Sequence, residues 1–229
     1  MKFLQKAWYK ALAALLVLYT LVYGLLIELP ADVGILDETI RNLFYHVPMW
    51  FGMMLILLAA WVNSIMYLSK PNPKRDAYAT ELTNVGLLMG FCGLFTGMFW
   101  AYNTWGTAWT NDPKLNGVAA GMAIYGGYWM IQKSVNDDAK RARLGAVYNV
   151  FVFPIFLALI VVMPKLAQSS IHPGSGDTVN FKTYNSSQNM EMVFYPAVVG
   201  WTLLFVWIAE LRTRYRLIKL HKDNEKAHF

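Results

Sequence analysis

Residues 140–165 read KRARLGAVYNVFVFPIFLALIVVMPK: the basic cluster Lys140, Arg141 and Arg143, an uncharged apolar run from Leu144 to Pro164, and a lone Lys165. A run of about 20 apolar residues is what an α-helix needs to cross the hydrocarbon core of a bilayer. Five further runs follow the same plan, at Ala7–Leu29, Val47–Leu68, Leu82–Tyr102, Asn116–Gln132 and Glu191–Leu211. Together they predict an all-α fold, a polytopic bundle of six transmembrane helices forming a single integral membrane domain over residues 1–229. Composition agrees: only 15% of the 229 residues are charged, against about a quarter in a soluble domain. Lys2 and Lys6 precede the first run and Lys10 lies in its first turn, as basic residues would in a signal peptide. That run is too long for a signal-peptide core and no small-x-small cleavage site follows, so an uncleaved first helix is expected.

The basic residues set the direction of threading. One side of the predicted membrane holds Lys2, Lys6, Lys10, Lys70, Lys74, Arg75, Lys133, Lys140, Arg141, Arg143, Arg212, Arg214, Arg216, Lys219, Lys222 and Lys226. The other holds Arg41, Lys114, Lys165 and Lys182. Sixteen against four places both termini in the cytoplasm under the positive-inside rule. The outer loops are then Pro30–His46, Asn103–Leu115 and Lys165–Met190. The same clustering explains the net charge of +6 and removes nucleic acid as a partner. The lone Cys92 excludes an internal disulfide framework, and without C-x-x-C-H there is no c-type covalent haem attachment.

Several local expectations follow. Pro71 and Pro73 break helix in the first inner loop, and Thr80 is a candidate cap for the third span. The tail from Arg212 is expected to continue as helix along anionic headgroups. Gly86, Gly90, Gly93 and Gly97 share one face of the third span, and Gly117 and Gly121 repeat the spacing on the fourth, as seams for close packing. Pro154 is expected to kink the fifth span. Glu28, Glu81, Glu191 and Glu210 fall at span ends within reach of water, and no carboxylate or lysine sits at mid-bilayer. A proton relay therefore lacks its usual residues. With no Ser-His-Asp or H-E-x-x-H arrangement either, the chain does not read as an enzyme.

The remaining chemistry gathers on the outer side. His46 lies in FYHVPMW (44–50), His172 in SIHPG (170–174), and between them runs WAYNTWGTAWTNDPKL (100–115). Two neutral imidazoles can ligate a haem iron axially, an aromatic loop can cover the macrocycle, and Lys114 can sit near a propionate. The same residues also admit plainer readings. Interfacial tryptophans and tyrosines form anchoring belts, and two histidines can begin a zinc site, for which no third ligand is obvious.

The outer loop resembles the tryptophan-rich "WWD" stretch of haem-handling cytochrome c maturation proteins, and most closely the six-span haem exporter protein C (CcmC-type) family. That family's loop reads approximately W-G-x-W-W-x-W-D-x-R-L. Trp105, Gly106, Trp109, Asp112 and Leu115 stand in matching places, with Lys114 for the arginine and Ala108 and Asn111 where tryptophan is common. His46, followed by Val47 and Pro48, resembles the family's first outer histidine, and His172 is placed like the second. The resemblance covers essentially the whole chain. It implies a bacterial inner-membrane protein that binds haem non-covalently, in transit, on the periplasmic face and delivers it to a periplasmic haem chaperone for c-type cytochrome biogenesis. Small membrane helper and ABC-transporter subunits accompany it. It further implies His46 and His172 as iron ligands, Trp105, Trp109 and Asp112 as the platform, and Trp100, Tyr102, Gly106 and Lys114 as further contacts. Two alternatives remain: a permease subunit that exports haem or another apolar ligand, and a structural membrane subunit.

Overall fold

The computed structural model describes residues 6–30, 34–167, 170, 172 and 188–227. Lys2, Lys182, His228 and most of the last outer loop lie outside them. Among the described residues the chain forms helices and no strands. They are α1 (Trp8–Leu26), a 3₁₀ segment (Gly34–Asn42), α2 (Leu43–Ser69), α3 (Pro73–Trp105), α4 (Pro113–Ser134), α5 (Asp138–Leu157), a π turn (Ala158–Val162), the short α6 (Met163–Leu166) and α7 (Gln188–Ala227).

Five helical stretches are long and apolar enough to cross a membrane: Trp8–Leu26, Ile35–Ser69, Pro73–Trp105, Asp138–Leu166 and Gln188–Asp223. They make the chain a multi-pass membrane protein. The fourth predicted span is present as α4, whose 22 residues reach roughly 33 Å at 1.5 Å per residue. It is absent from the five because Gly117, Gly121, Gly126 and Gly127, with Lys114, Asn116, Gln132 and Lys133, dilute its apolar content.

Helix ends are set by local chemistry. The α3 helix starts two turns before the predicted span, because Asn72 Oδ1 accepts from the Lys74 amide at 2.8 Å and Pro73 occupies the first turn. Thr80 therefore caps nothing; it is buried inside α3 and accepts a hydrogen bond from Tyr128 Oη at 3.1 Å. At its far end α3 stops at Gly106, whose φ of 75° is left-handed backbone that favours glycine. Asp112 then caps α4 with Pro113 behind it. The disturbance expected at Pro154 takes the form of the π turn that follows it. The basic tail does continue as helix, through Ala227.

The glycine face of α3 packs on antiparallel α2. A Cβ at Gly86 would lie 2.6 Å from Leu57, one at Gly90 2.9 Å from Met53, and one at Gly93 2.9 Å from Trp50. Only hydrogen at these positions permits that approach. Likewise Gly117 lets α4 abut the π turn, since a Cβ there would lie 2.4 Å from the Leu159 carbonyl oxygen. The core between these helices contains Met53, Leu57, Met89, Tyr125, Phe156 and Phe205. Asn149 ties three helices inside it, donating from Nδ2 to Ser64 Oγ (3.2 Å) and Thr83 Oγ1 (2.9 Å).

One expectation fails in detail. Glu81 and Glu210, expected to be open to water, are buried. Arg212 Nε reaches Glu81 at 2.7 Å, Arg216 bridges Glu81 (3.5 Å) and Asp76 (3.1 Å), and Lys10 Nζ lies 2.9 Å from Glu210, which also pairs with Arg214. Buried carboxylates need such partners. Basic residues that serve as topology signals in the sequence thus also fasten α1, α3 and α7 at one end of the bundle.

Candidate functional site

The opposite end holds a cavity of about 520 Å³, walled by the 3₁₀ segment, α2, α3, the 106–112 loop, α4, the π turn, α6 and His172. Small-molecule sites span roughly 300–1,000 Å³ and combine an apolar lining with a few placed polar groups. This lining has that character. Trp50, Met54, Leu94, Met98, Val118 and Ile160 supply the apolar walls, and the polar groups are His46, His172, Lys114 and Lys165.

His46 sits in the first turn of α2 and its ring is held from several sides. Nδ1 lies 3.0 Å from the Gly93 carbonyl and 3.3 Å from Thr96 Oγ1, whose own proton goes to the Cys92 carbonyl at 2.8 Å. A carbonyl only accepts, so the imidazole proton belongs on Nδ1 and the lone pair on Nε2. Trp50 and Trp100 meet the ring edge-to-face, with centroids 6.1 Å and 5.8 Å away. Gly97 completes the seat: a Cβ there would lie 2.6 Å from His46 Cε1. Trp100 is itself fixed by donating from Nε1 to Thr39 Oγ1 at 3.2 Å, which docks the 3₁₀ segment onto α3.

His172 is brought to the cavity by Asp112. One carboxylate oxygen accepts from the Lys114 amide (2.8 Å) and so caps α4; the other accepts from Ser170 Oγ (2.8 Å), which in turn accepts from the His172 amide at 3.2 Å. His172 Nδ1 lies 3.6 Å from Asp112 Oδ1, within reach of its charge though beyond direct hydrogen bonding. A carboxylate on the far side of a histidine is the arrangement that orients metal-ligating imidazoles. Burial pushes the His172 pKa down to about 4, with Lys114 lowering it further and Asp112 opposing, so the ring is neutral near pH 7. Burial likewise holds the Lys114 ammonium below the usual lysine range, against the pull of Asp112. Trp105 lies beside His172, with ring centroids 5.9 Å apart.

The sequence-predicted residues thus divide. His46, His172, Trp100, Trp105, Trp109 and Lys114 line one cavity. Asp112 stands behind the wall as an organiser, buried and bonded as above. Gly106 forms the helix-ending turn, where a Cβ would meet nothing within 4 Å, and Tyr102 is 62% exposed on the flank of α3; neither lines the cavity. His221 is remote, on the tail, 3.2 Å from Glu225. Among the described residues no group of three or more His, Cys, Asp or Glu is placed to hold a metal ion alone.

The sequence profile described as heme exporter protein C matches residues 2–228. The chain belongs to the heme exporter protein C family. It is 25% identical over 219 residues to heme exporter protein C of Rhodobacter capsulatus, covering 93% of this chain and 88% of that one. It is 29% identical over 109 residues to the Bradyrhizobium diazoefficiens protein of the same name, covering 48% and 41%. A shorter stretch of 84 residues is 29% identical to cytochrome c biogenesis protein CcsA of a Synechococcus strain, covering 37% and 28%.

Three contributions to this family member's site escaped the motif reading. Gly93 and Gly97 look like packing glycines, yet their outer end seats His46 and Trp50. Trp50 itself stands beside FYHVP and reads as part of a span. Lys165 reads as a stray outer charge until the π turn and α6 carry it to the cavity wall. Only an intact i, i+4, i+7, i+11 glycine row ending opposite His46 hinted at the first of these.

Proposed function

We propose that this chain holds haem in the cavity, with His46 and His172 as axial ligands, and presents it at the periplasmic face to a haem chaperone for c-type cytochrome biogenesis. The haem is cargo in transit, and the chain performs no turnover of its own. The positive-inside count puts the cavity on the outer side of the membrane, and membership of the family supports reading that membrane as the bacterial inner membrane and that side as the periplasm. Small membrane helper and ABC-transporter subunits are the expected companions.

One observation carries the reading: two histidines line a single apolar cavity, and each has its Nδ1 engaged from behind, by the Gly93 carbonyl and by the charge of Asp112. That arrangement points Nε2 chemistry toward an occupant. The aromatic residues Trp100, Trp105 and Trp109 supply flat apolar surface for a macrocycle.

The test is the absorption spectrum of the purified protein. Loaded with haem, the parent gives a Soret band with low-spin, six-coordinate features. His46→Ala and His172→Ala each lose that low-spin form, and added imidazole restores it. His221→Ala leaves the spectrum as it is. If both outer variants keep the parent spectrum, the axial pair is wrong; a permease that carries haem without ligating it would behave in that way.

A further inference from the structure

The cavity wall is apolar apart from its histidines and two ammonium groups, Lys114 and Lys165. They come from different elements that the fold forces together. Gly117 brings the start of α4 against Leu159 in the π turn, and its Cβ would also lie 3.9 Å from Met163 Cε in α6. Lys114 is one turn toward the outer end of α4 from Gly117, and Lys165 is two residues past Met163. Both cations therefore stand on adjacent parts of the same outer rim. Among the described residues neither makes an ion pair. The nearby carboxylate, Asp112, is spent on the α4 cap, Ser170 and His172. Lys114, half-buried in that wall, is costly to hold as a cation unless an anion meets it.

We propose that Lys165, with Lys114, forms a two-cation rim that selects an apolar cargo bearing a pair of carboxylates. This rests on the haem reading above, since the two propionates of haem are that pair, and it gives Lys165 a binding role. Lys114, the more enclosed of the two, makes the stronger contact; Lys165, exposed at the mouth, makes the weaker one and governs the second carboxylate.

The test compares ferric haem with its dimethyl ester, each titrated spectrally into the full chain in the same detergent micelles. The parent binds the diacid more tightly than the diester. Lys114→Gln weakens diacid binding about tenfold to a hundredfold and Lys165→Gln about tenfold, the range for charge-assisted hydrogen bonds of differing exposure. Diester affinity stays at the parent value in both, and the double variant no longer discriminates. Lys133→Gln, on the opposite end of α4, changes neither titration. If Lys165→Gln weakens diacid and diester alike, or weakens neither, the rim is refuted while the histidine assignment stands. If the parent binds neither compound, the haem reading fails and the rim falls with it.

Discussion

Gly97→Ala is the smallest change that separates a packing glycine from a site glycine. The added Cβ would lie 2.6 Å from His46 Cε1, 3.1 Å from Nδ1 and 3.5 Å from Nε2. Contact below 3 Å requires something to shift, and the helix backbone of α3 is held against α2 along the whole glycine row. The His46 ring must therefore leave its seat between Trp50 and Trp100 and give up its hydrogen bond to Gly93. Overpacking of this kind costs about 1–3 kcal/mol, and the lost hydrogen bond about 1 kcal/mol. If haem binding has to restore the seat, about 2–4 kcal/mol is lost from it, a fall of roughly 30- to 700-fold in affinity. The assay is a haem titration followed at the Soret band, with membrane insertion checked in parallel. Gly126→Ala serves as the control, because a Cβ there would meet nothing within 4 Å and alanine is the better helix former by about 1 kcal/mol. A Gly97→Ala protein that keeps parent affinity and a low-spin spectrum refutes the seat. So does an equal loss in Gly126→Ala, which would point to general damage.

Three further outcomes follow from the same geometry. Asp112→Asn retains an N-cap side chain but loses the charge facing His172, so haem affinity falls about tenfold while the melting temperature holds; a spectrum and affinity equal to the parent would detach Asp112 from the site. Glu81→Gln removes the buried charge that pairs with Arg212 and Arg216 at the other end of the bundle, and costs about 1–3 kcal/mol of stability, discounted because Arg212 is about half exposed. Its haem spectrum stays unchanged, and a spectral shift would show the two ends to be coupled. A reporter active only in the cytoplasm should work when fused after Arg143 and be silent at Asn111; activity at Asn111 overturns the orientation.

The fold was largely legible because the bilayer imposes one rule on every span. Uncharged runs of the right length can only be helices there, so the Leu144–Pro164 pattern and its relatives map onto real helices. What the runs could not show is where helices stop, since that is decided by capping groups outside them. Asn72, Asp112 and Asp137 each hold a helix N-terminus, and the first of these displaced the cap expected at Thr80. Burial of Glu81 and Glu210 was equally hidden: the partners of Glu81 lie on α7 and Lys10, which meets Glu210, lies on α1, all far away in sequence, so only the folded bundle reveals that span-end carboxylates are enclosed.

The site was legible where chemistry is rare and illegible where it is common. Histidine is scarce in this chain, with 4 in all, so His46 and His172 stood out, and both reach the cavity. Glycine, tryptophan and lysine have ordinary work in any membrane protein. Gly97, Trp50 and Lys165 therefore looked like packing, belt and topology. The close approach that packs α3 on α2 also leaves Gly97 and Trp50 against the His46 ring, and the close approach of α4 to the π turn brings Lys165 to the cavity wall that Lys114 also lines. Asp112 makes the point from the other side. The family resemblance implies it as part of an aromatic platform, yet it is buried behind the cavity wall, where one carboxylate caps a helix, holds Ser170 and faces His172. An acidic residue at that place in the loop both caps α4 and, through Ser170 and its own charge, holds the second histidine beside the helix that carries Lys114.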